Sequence, residues 1–215
     1  MSTGEIVFVV IGAIIAAFGV WRILPRAVFF FAPGAVNGRF EPGRYLTPDK
    51  LDYAAEVIEP LEALGYRMAG TLVEQPPLWR KTVETLVMVP DSSDNFLCIN
   101  ISKLRITYYF QTMFTGGEAL ITADGGFRPV EDGGLHQFVV KTDEHAEVLD
   151  RHRDNSENLI SEGLTPVPAY TDEMIGGSTR LYYGFPVVRK GMRRYGLNNL
   201  ILFIILCIPL VIALT

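Results

Sequence analysis

The chain has 215 residues, of which 49% are hydrophobic and 20% are charged, and this length allows one domain of ordinary size. Its formal net charge of −5 argues against a nucleic-acid binder, which needs a basic surface to displace the counterions of phosphates. Two cysteines far apart in sequence exclude a disulfide scaffold, and three histidines leave little material for a metal site, so no cofactor is expected.

Two long apolar segments lie at the ends of the chain. Residues 6–24 contain one charge, at Arg22, and residues 197–214 contain none. A bilayer core about 30 Å thick requires about 20 helical residues, so each segment predicts a transmembrane helix. The alternatives are a buried core helix or, for the first segment, a signal peptide. The first five residues lack the Lys or Arg with which a signal peptide begins.

The basic residues indicate an orientation, because all 19 of them lie between residues 22 and 194. The positive-inside rule therefore predicts a two-pass protein of the bacterial inner membrane, with a cytoplasmic central region and both termini outside. The basic residues closest to the two apolar segments form a predicted basic collar that suits anionic lipid headgroups. Its members are Arg22, Arg26, Arg189, Lys190, Arg193 and Arg194. Topology signals on a solvated surface would explain the same pattern without lipid binding.

Between the apolar segments the chain shows helix and strand patterns in turn. Residues 25–46 are rich in Gly and Pro and predict a juxtamembrane linker. A helix is predicted from Thr47 to a C-cap at Gly65, and we expect Pro60 to break or bend it. Period-two patterns then predict strands at residues 66–74, 82–89, 96–102, 104–114, 118–123 and 135–140.

A second helix is predicted over residues 142–161, and residues 164–195 then form a juxtamembrane return segment before the last apolar helix. The order of helix, short strands and helix predicts an α+β domain over residues 47–163. We expect an antiparallel β-meander with the helices packed on one side. The domain would be tethered by an N-terminal and a C-terminal transmembrane helix.

Side chains with catalytic chemistry are scarce, and no nucleotide-binding, metalloprotease or nucleophile-elbow motif is present. His145 and His152 share the apolar face of the second predicted helix, seven residues apart. Buried, hydrogen-bonded histidines explain this spacing most simply, and a metal site with Glu144 and Asp150 is the alternative. Cys98 shows no neighbouring base in the sequence that would make it a nucleophile.

Four Gly-Gly pairs, at residues 116–117, 125–126, 133–134 and 176–177, fit turns between elements. The alternative is that the backbone N–H groups of these pairs bind an anion.

The segment around the first Gly-Gly pair has the form T-x-F-x-x-G-x-x-L-x-T, made by Thr112, Phe114, Gly117, Leu120 and Thr122. It resembles a strand-turn-strand unit of uncharacterised membrane-anchored bacterial proteins. The resemblance covers residues 64–160 and implies a bacterial protein with an α+β fold. It implies no activity and no catalytic residue.

The first apolar segment carries a stripe of small residues, Gly12, Ala16 and Gly19, which lets another helix approach closely. This predicted docking stripe would contact either the second apolar helix or another subunit.

Two functions remain after these exclusions. The first is a non-catalytic accessory or structural subunit of a larger bacterial membrane complex, such as a photosynthetic, respiratory or transport assembly. The second is a membrane-tethered enzyme or ligand sensor that uses the acidic cytoplasmic domain. Expected partners are other membrane subunits and anionic lipid headgroups, and no nucleic acid.

Overall fold

The computed structural model describes residues 3–78, 81–90 and 95–214, and its centre is an eight-stranded sheet. The strands are β1 (Asn37–Pro42), β2 (Tyr66–Gln75), β3 (Val83–Pro90), β4 (Phe96–Ile101), β5 (Ile106–Met113), β6 (Ala119–Ala123), β7 (Val130–Asp132) and β8 (Leu135–Val139). The helices are α1 (Thr3–Arg22), α2 (Leu24–Phe31), α3 (Pro48–Ala63), α4 (His145–Ser161), α5 (Asp172–Gly184) and α6 (Pro186–Leu214). The chain is therefore an α+β protein, as predicted.

The sheet is a meander for six strands and then changes direction. Its order is β1-β2-β3-β4-β5-β6-β8-β7, and every neighbouring pair from β1 to β6 is antiparallel. Strand β8 instead pairs in parallel with β6, with Ala119 opposite Leu135. The intervening β7 pairs antiparallel with β8 at the edge. The prediction of a meander is confirmed for most of the sheet, and the parallel pair is an addition to it.

Helices cover both faces of the sheet, which corrects the prediction that they pack on one side. Alternate side chains of a strand point to opposite faces, so one strand contributes to two cores. Leu97 and Phe110 belong to a core with α3 and α4, whereas Cys98 and Val87 belong to a core with Ile175 of α5. Each face therefore has its own buried apolar cluster.

Helix α3 continues through Pro60 to Ala63, so the predicted break is wrong. Pro60 is exposed and lies in the last turn. The carbonyl of Glu56 loses its helical partner there, and water can take that partner's place. Gly65 follows with a φ of +89°, in the conformation that the predicted C-cap requires.

The predicted linker at residues 25–46 contains most of α2 and all of β1. Gly38 and Pro42 masked the strand pattern, but β1 is an edge strand, where the missing N–H of a proline is tolerated. Gly38 has a packing reason as well. A Cβ atom at this position would collide with the side chain of Thr179 on α5.

The predicted return segment at residues 164–195 is helical over most of its length. It contains α5 and the first third of α6, which begins at Pro186 rather than at residue 197. Thr171 caps α5, because its hydroxyl accepts a hydrogen bond of 3.3 Å from the backbone N–H of Met174. The fourth Gly-Gly pair lies inside this helix instead of a turn, and Gly176 packs directly against the backbone of β1.

Of the described helices, α6 is the one that is long and apolar enough by itself to cross a membrane, over Pro186–Ile208. The N-terminal segments Val9–Arg22 and Leu24–Phe31 are long and apolar enough to cross a membrane only if they are taken together, and a bend of 49° separates them. One C-terminal candidate span is therefore present. The second tether stays a prediction.

Helices α2 and α6 contact each other at Gly196, which is buried. A Cβ atom on Gly196 would overlap the backbone nitrogen of Phe30. The nearby rings of Phe29 and Tyr195 have centroids 6.3 Å apart. Only a glycine therefore allows the two helix backbones to approach this closely.

We expect Gly196→Ala to lower the free energy of unfolding by about 1–3 kcal/mol, because the added methyl group overpacks the α2–α6 contact. Gly191→Ala is the matched control in the same helix, since a Cβ atom there meets no other atom within 4 Å. It should be neutral or stabilise the helix by up to about 1 kcal/mol. Thermal unfolding of both variants in detergent measures the difference. Equal stability of the two variants would contradict the close contact.

Candidate functional site

Helices α1 and α6 pack on each other and leave large apolar side chains uncovered on their outer surfaces. On each helix these side chains are about half exposed, for example Ile14 at 63% and Ile204 at 54%. The exposed set comprises Ile6, Val7, Val10, Ile11, Ile14, Phe18, Val20 and Trp21 on α1 and Leu197, Ile201, Leu202, Ile204, Ile205 and Ile208 on α6. A continuous apolar surface of this kind marks a membrane or protein contact.

The small residues of α1 lie on its inner side. Gly12 and Gly19 are buried and Ala16 is half-buried. A Cβ atom on Gly19 would lie 3.2 Å from the ring of Phe203 on α6, which is tighter than ordinary contact. At Gly19, therefore, the predicted docking stripe serves the contact between α1 and α6. Docking of another subunit along the stripe stays a prediction.

The basic collar lies where the apolar helices meet the sheet domain. Val187 and Val188, at the start of α6, pack on the sheet beside Leu135. Four collar residues follow within the next two turns of α6, all of them exposed: Arg189, Lys190, Arg193 and Arg194. Arg22 ends α1 and is exposed, and Arg26 on α2 is half-buried.

His152 is a buried histidine whose two ring nitrogens are both occupied. Its Nε2 lies 3.0 Å from the hydroxyl of Thr112, and its Nδ1 lies 3.0 Å from that of Thr122. These are the first and last residues of the T-x-F-x-x-G-x-x-L-x-T segment, whose Phe114 and Leu120 belong to one apolar cluster. This segment of β5 and β6 therefore provides both hydrogen-bond partners of one α4 side chain.

Burial lowers the pKa of His152 to about 3. His152 is therefore neutral in the folded protein at neutral pH, with each nitrogen engaged by a threonine. His145 lies two turns earlier on α4 and stacks on Tyr108, with ring centroids 5.1 Å apart and planes 5° apart. In the described residues, no group of three or more His, Cys, Asp or Glu side chains could hold a metal ion.

Cys98 is fully buried on the α5 face of the sheet. Burial raises the pKa of its thiol to about 12, so the thiolate that a nucleophile requires is disfavoured. Cys207 is half-buried in α6, and both cysteines are free thiols.

We expect His152→Gln to flatten the acid dependence of stability. The unfolded chain binds a proton at histidine below about pH 6.5, whereas the folded protein does so only near pH 3, so stability falls as the pH falls through this interval. The contribution of His152 is a slope of about 1.4 kcal/mol per pH unit. Denaturant unfolding from pH 6 to pH 4 measures it in wild type and variant. The same slope in both proteins would contradict the assignment.

A cavity of about 390 Å³ lies on the face of the sheet that α5 covers. Four aromatic rings line it as two nearly perpendicular pairs. Tyr109 and Phe127 have centroids 5.2 Å apart at 73°, and Tyr182 and Tyr183 have centroids 5.3 Å apart at 82°. The pairs come from the sheet side and from α5, so the cavity has aromatic walls on both sides.

Two carboxylates line the same cavity and differ in their partners. Glu84 forms ion pairs with Arg44 at 2.8 Å and with Lys50 at 3.2 Å. Glu74 accepts a hydrogen bond of 3.1 Å from the hydroxyl of Thr179, which is its one partner among the described residues. Desolvation raises the pKa of Glu74 above its usual range, and the bond from Thr179 opposes this.

The amide nitrogen of Gln111, another lining residue, is buried without a hydrogen-bond partner in the described structure. Buried donors in native proteins are nearly always paired, so this amide can donate to an acceptor atom inside the cavity, on either water or a ligand. Sequence reasoning missed Glu74 and Gln111. The available signal was strand alternation, which places Glu74 on the same face as the buried Leu72.

No protein-family model, curated protein or solved structure matches this chain.

Proposed function

We propose that the chain is a non-catalytic accessory or structural subunit of a bacterial membrane protein complex. The observation that carries this proposal is the continuous exposed apolar surface of the paired helices α1 and α6. In water this surface would be strongly unfavourable, at about 25 cal/mol per Å² of apolar area. Lipid chains and neighbouring transmembrane helices are the environments that suit it.

The length of α6 supports a membrane anchor that is continuous with the domain. Its 29 residues extend about 43 Å, which exceeds a bilayer core of about 30 Å. The first residues of α6 pack on the sheet, so the excess length lies in the domain and the apolar remainder is available to the membrane. We propose that α1 accompanies it as the second span, with α2 bent away at the membrane surface.

The basic collar supports the orientation and a contact with lipid. It lies at the junction of the domain and the apolar helices, where positive charge suits anionic headgroups. Because the segments before residue 22 and after residue 194 contain no Lys or Arg, we propose that the sheet domain is cytoplasmic and both termini are outside.

The geometry of the nucleophilic and basic side chains favours a non-catalytic role. Both nitrogens of His152 are occupied by threonine hydroxyls, and the Cys98 thiol is buried with a raised pKa. Neither residue is available as a general base or a nucleophile. The alternative of a membrane-tethered ligand sensor is favoured by one observation, the aromatic cavity at Glu74.

We expect a topology reporter to place the sheet domain opposite the termini. A phosphatase that is active only outside the cytoplasm should be active when fused after Thr215. It should be inactive when inserted at Gly163, where the turn after α4 is exposed and open. A reporter that is active only in the cytoplasm is the control and should give the reverse pattern. An active phosphatase at Gly163 would contradict the cytoplasmic assignment.

Gentle detergent extraction tests the subunit proposal directly. If the chain docks through its membrane helices, it should elute in a complex much larger than its own 23.9 kDa, together with defined partner subunits. Replacing the exposed Ile14 and Ile204 by Ala, on the outer faces of α1 and α6, should weaken that co-purification without disturbing the contact between these helices. Replacing the exposed Lys103 and Lys141 of the sheet domain is the control. Elution as a single free chain would refute the subunit proposal.

A further inference from the structure

We infer that the cavity between the sheet and α5 binds a small organic cation of the alkylammonium class, held by Glu74 and by the aromatic rings around it. This inference goes beyond the proposed membrane role, because it concerns the α5 face of the sheet and requires no membrane contact. The volume of the cavity, about 390 Å³, falls within the usual range of small-molecule sites, which is about 300–1,000 Å³.

The charge of the side chains that line the cavity favours a cationic ligand. No Lys, Arg or His side chain is among the described residues that line the cavity, whereas two glutamates are. Arg44 and Lys50 already neutralise Glu84 from outside. Among the described residues, Glu74 is bonded by the hydroxyl of Thr179, which is a neutral donor. A partly buried carboxylate without a cationic partner is unfavourable, and a cationic ligand would supply that partner.

The aromatic rings that line the cavity favour an organic cation. The face of an aromatic ring attracts a cation through its quadrupole, and the attraction grows when water is excluded. Tyr109 and Phe127 on one side and Tyr182 and Tyr183 on the other provide four rings around one space. Alkyl groups on the ammonium would gain apolar contact with Leu72 and Ile121, which also line the cavity. A metal cation, which prefers oxygen ligands and water, fits these walls poorly.

The third observation is the buried amide nitrogen of Gln111, which has no partner among the described residues and can donate a hydrogen bond to an oxygen atom of the ligand. A ligand that combines an alkylammonium group with an oxygen atom would satisfy both polar groups of the cavity. An amino alcohol has this chemistry. Choline is therefore a suitable probe, and 3,3-dimethylbutan-1-ol is its uncharged equivalent of nearly the same shape.

The test is calorimetric titration of the full chain with choline in a maltoside detergent, since a phosphocholine detergent would compete. We expect saturable binding to the wild type and binding of 3,3-dimethylbutan-1-ol that is weaker by about tenfold or more. Glu74→Gln should weaken choline binding by about tenfold. Glu84→Gln, the matched control on the same cavity, should change it by less than about threefold because that charge is already neutralised.

Phe127→Leu is a second variant that leaves both carboxylates in place. It should weaken choline binding by about threefold and leave the binding of the neutral alcohol nearly unchanged. Circular dichroism verifies that each variant is folded. If Glu74→Gln does not fold, the effect of Phe127→Leu on choline binding tests the cation site instead. Glycerophosphocholine identifies the source of the cation. Tighter binding than choline indicates a lipid headgroup and weaker binding indicates a free cation, and either result supports a cation site.

Three results would overturn the inference. The first is no saturable choline binding to the wild type. The second is equal affinity for choline and the neutral alcohol, which would show an apolar cavity without cation selectivity. The third is an equal loss in Glu74→Gln and Glu84→Gln. None of these results would affect the membrane proposal, which depends on α1 and α6.

Discussion

Helix α6 joins a segment that packs on the sheet to a segment with an exposed apolar surface along one unbroken backbone, and the rest of the structure is arranged around this constraint. Its first turn packs on the sheet through Val187 and Val188, and its later turns expose Ile201 and Ile205. The exposed basic residues of α6 lie between these two parts, next to the sheet domain. Because no loop interrupts α6, the helix itself sets the position of the apolar segment relative to the domain.

Both faces of the sheet bury polar groups, and the α5 face also borders the aromatic cavity. On the α4 face the buried polar groups of His152, Thr112 and Thr122 satisfy one another, and the packing around them is apolar. On the α5 face, within the part of the chain that the structure describes, Glu74 has one neutral donor and the amide nitrogen of Gln111 has no partner, and both residues border a cavity. A satisfied polar network stabilises one arrangement of the core. Polar groups that border a cavity are available to fix the orientation of a ligand. The hydrogen bonds of His152 therefore support the fold, and the cavity on the α5 face is where we place the proposed ligand.

Sequence patterns were sufficient for the elements whose periodicity is local. The strands from Tyr66 to Ala123 were predicted within about two residues, because their alternation is regular and short turns connect them. Strand β1 was missed because its Gly38 and Pro42 are typical of loops, and only the neighbouring Thr179 explains the glycine. Helix α5 was missed because its Gly-Gly pair suggested a turn.

The candidate site could not be predicted in the same way. Glu74 and Tyr182 are more than a hundred residues apart, and they meet only because α5 returns to cover the sheet next to β1 and β2. No local pattern contains that information. The hydrogen-bonded site of His152 could be predicted in part. The positions of Thr112 and Thr122 were recognisable as a pattern, but their common partner His152 depends on the placement of α4.

The pairing of α1 with α6 has a consequence for biosynthesis. The two helices are adjacent in the fold, yet the whole sheet domain separates them in sequence. At about 5–20 residues per second, a ribosome needs roughly 10–30 s to make the intervening chain. During that interval α1 has no α6 to cover Gly19, and the first residues of α6, which pack on the sheet, are not yet made. The contact between α1 and α6 can therefore form only after synthesis of the sheet domain is finished, which makes it a late step in the assembly of the fold.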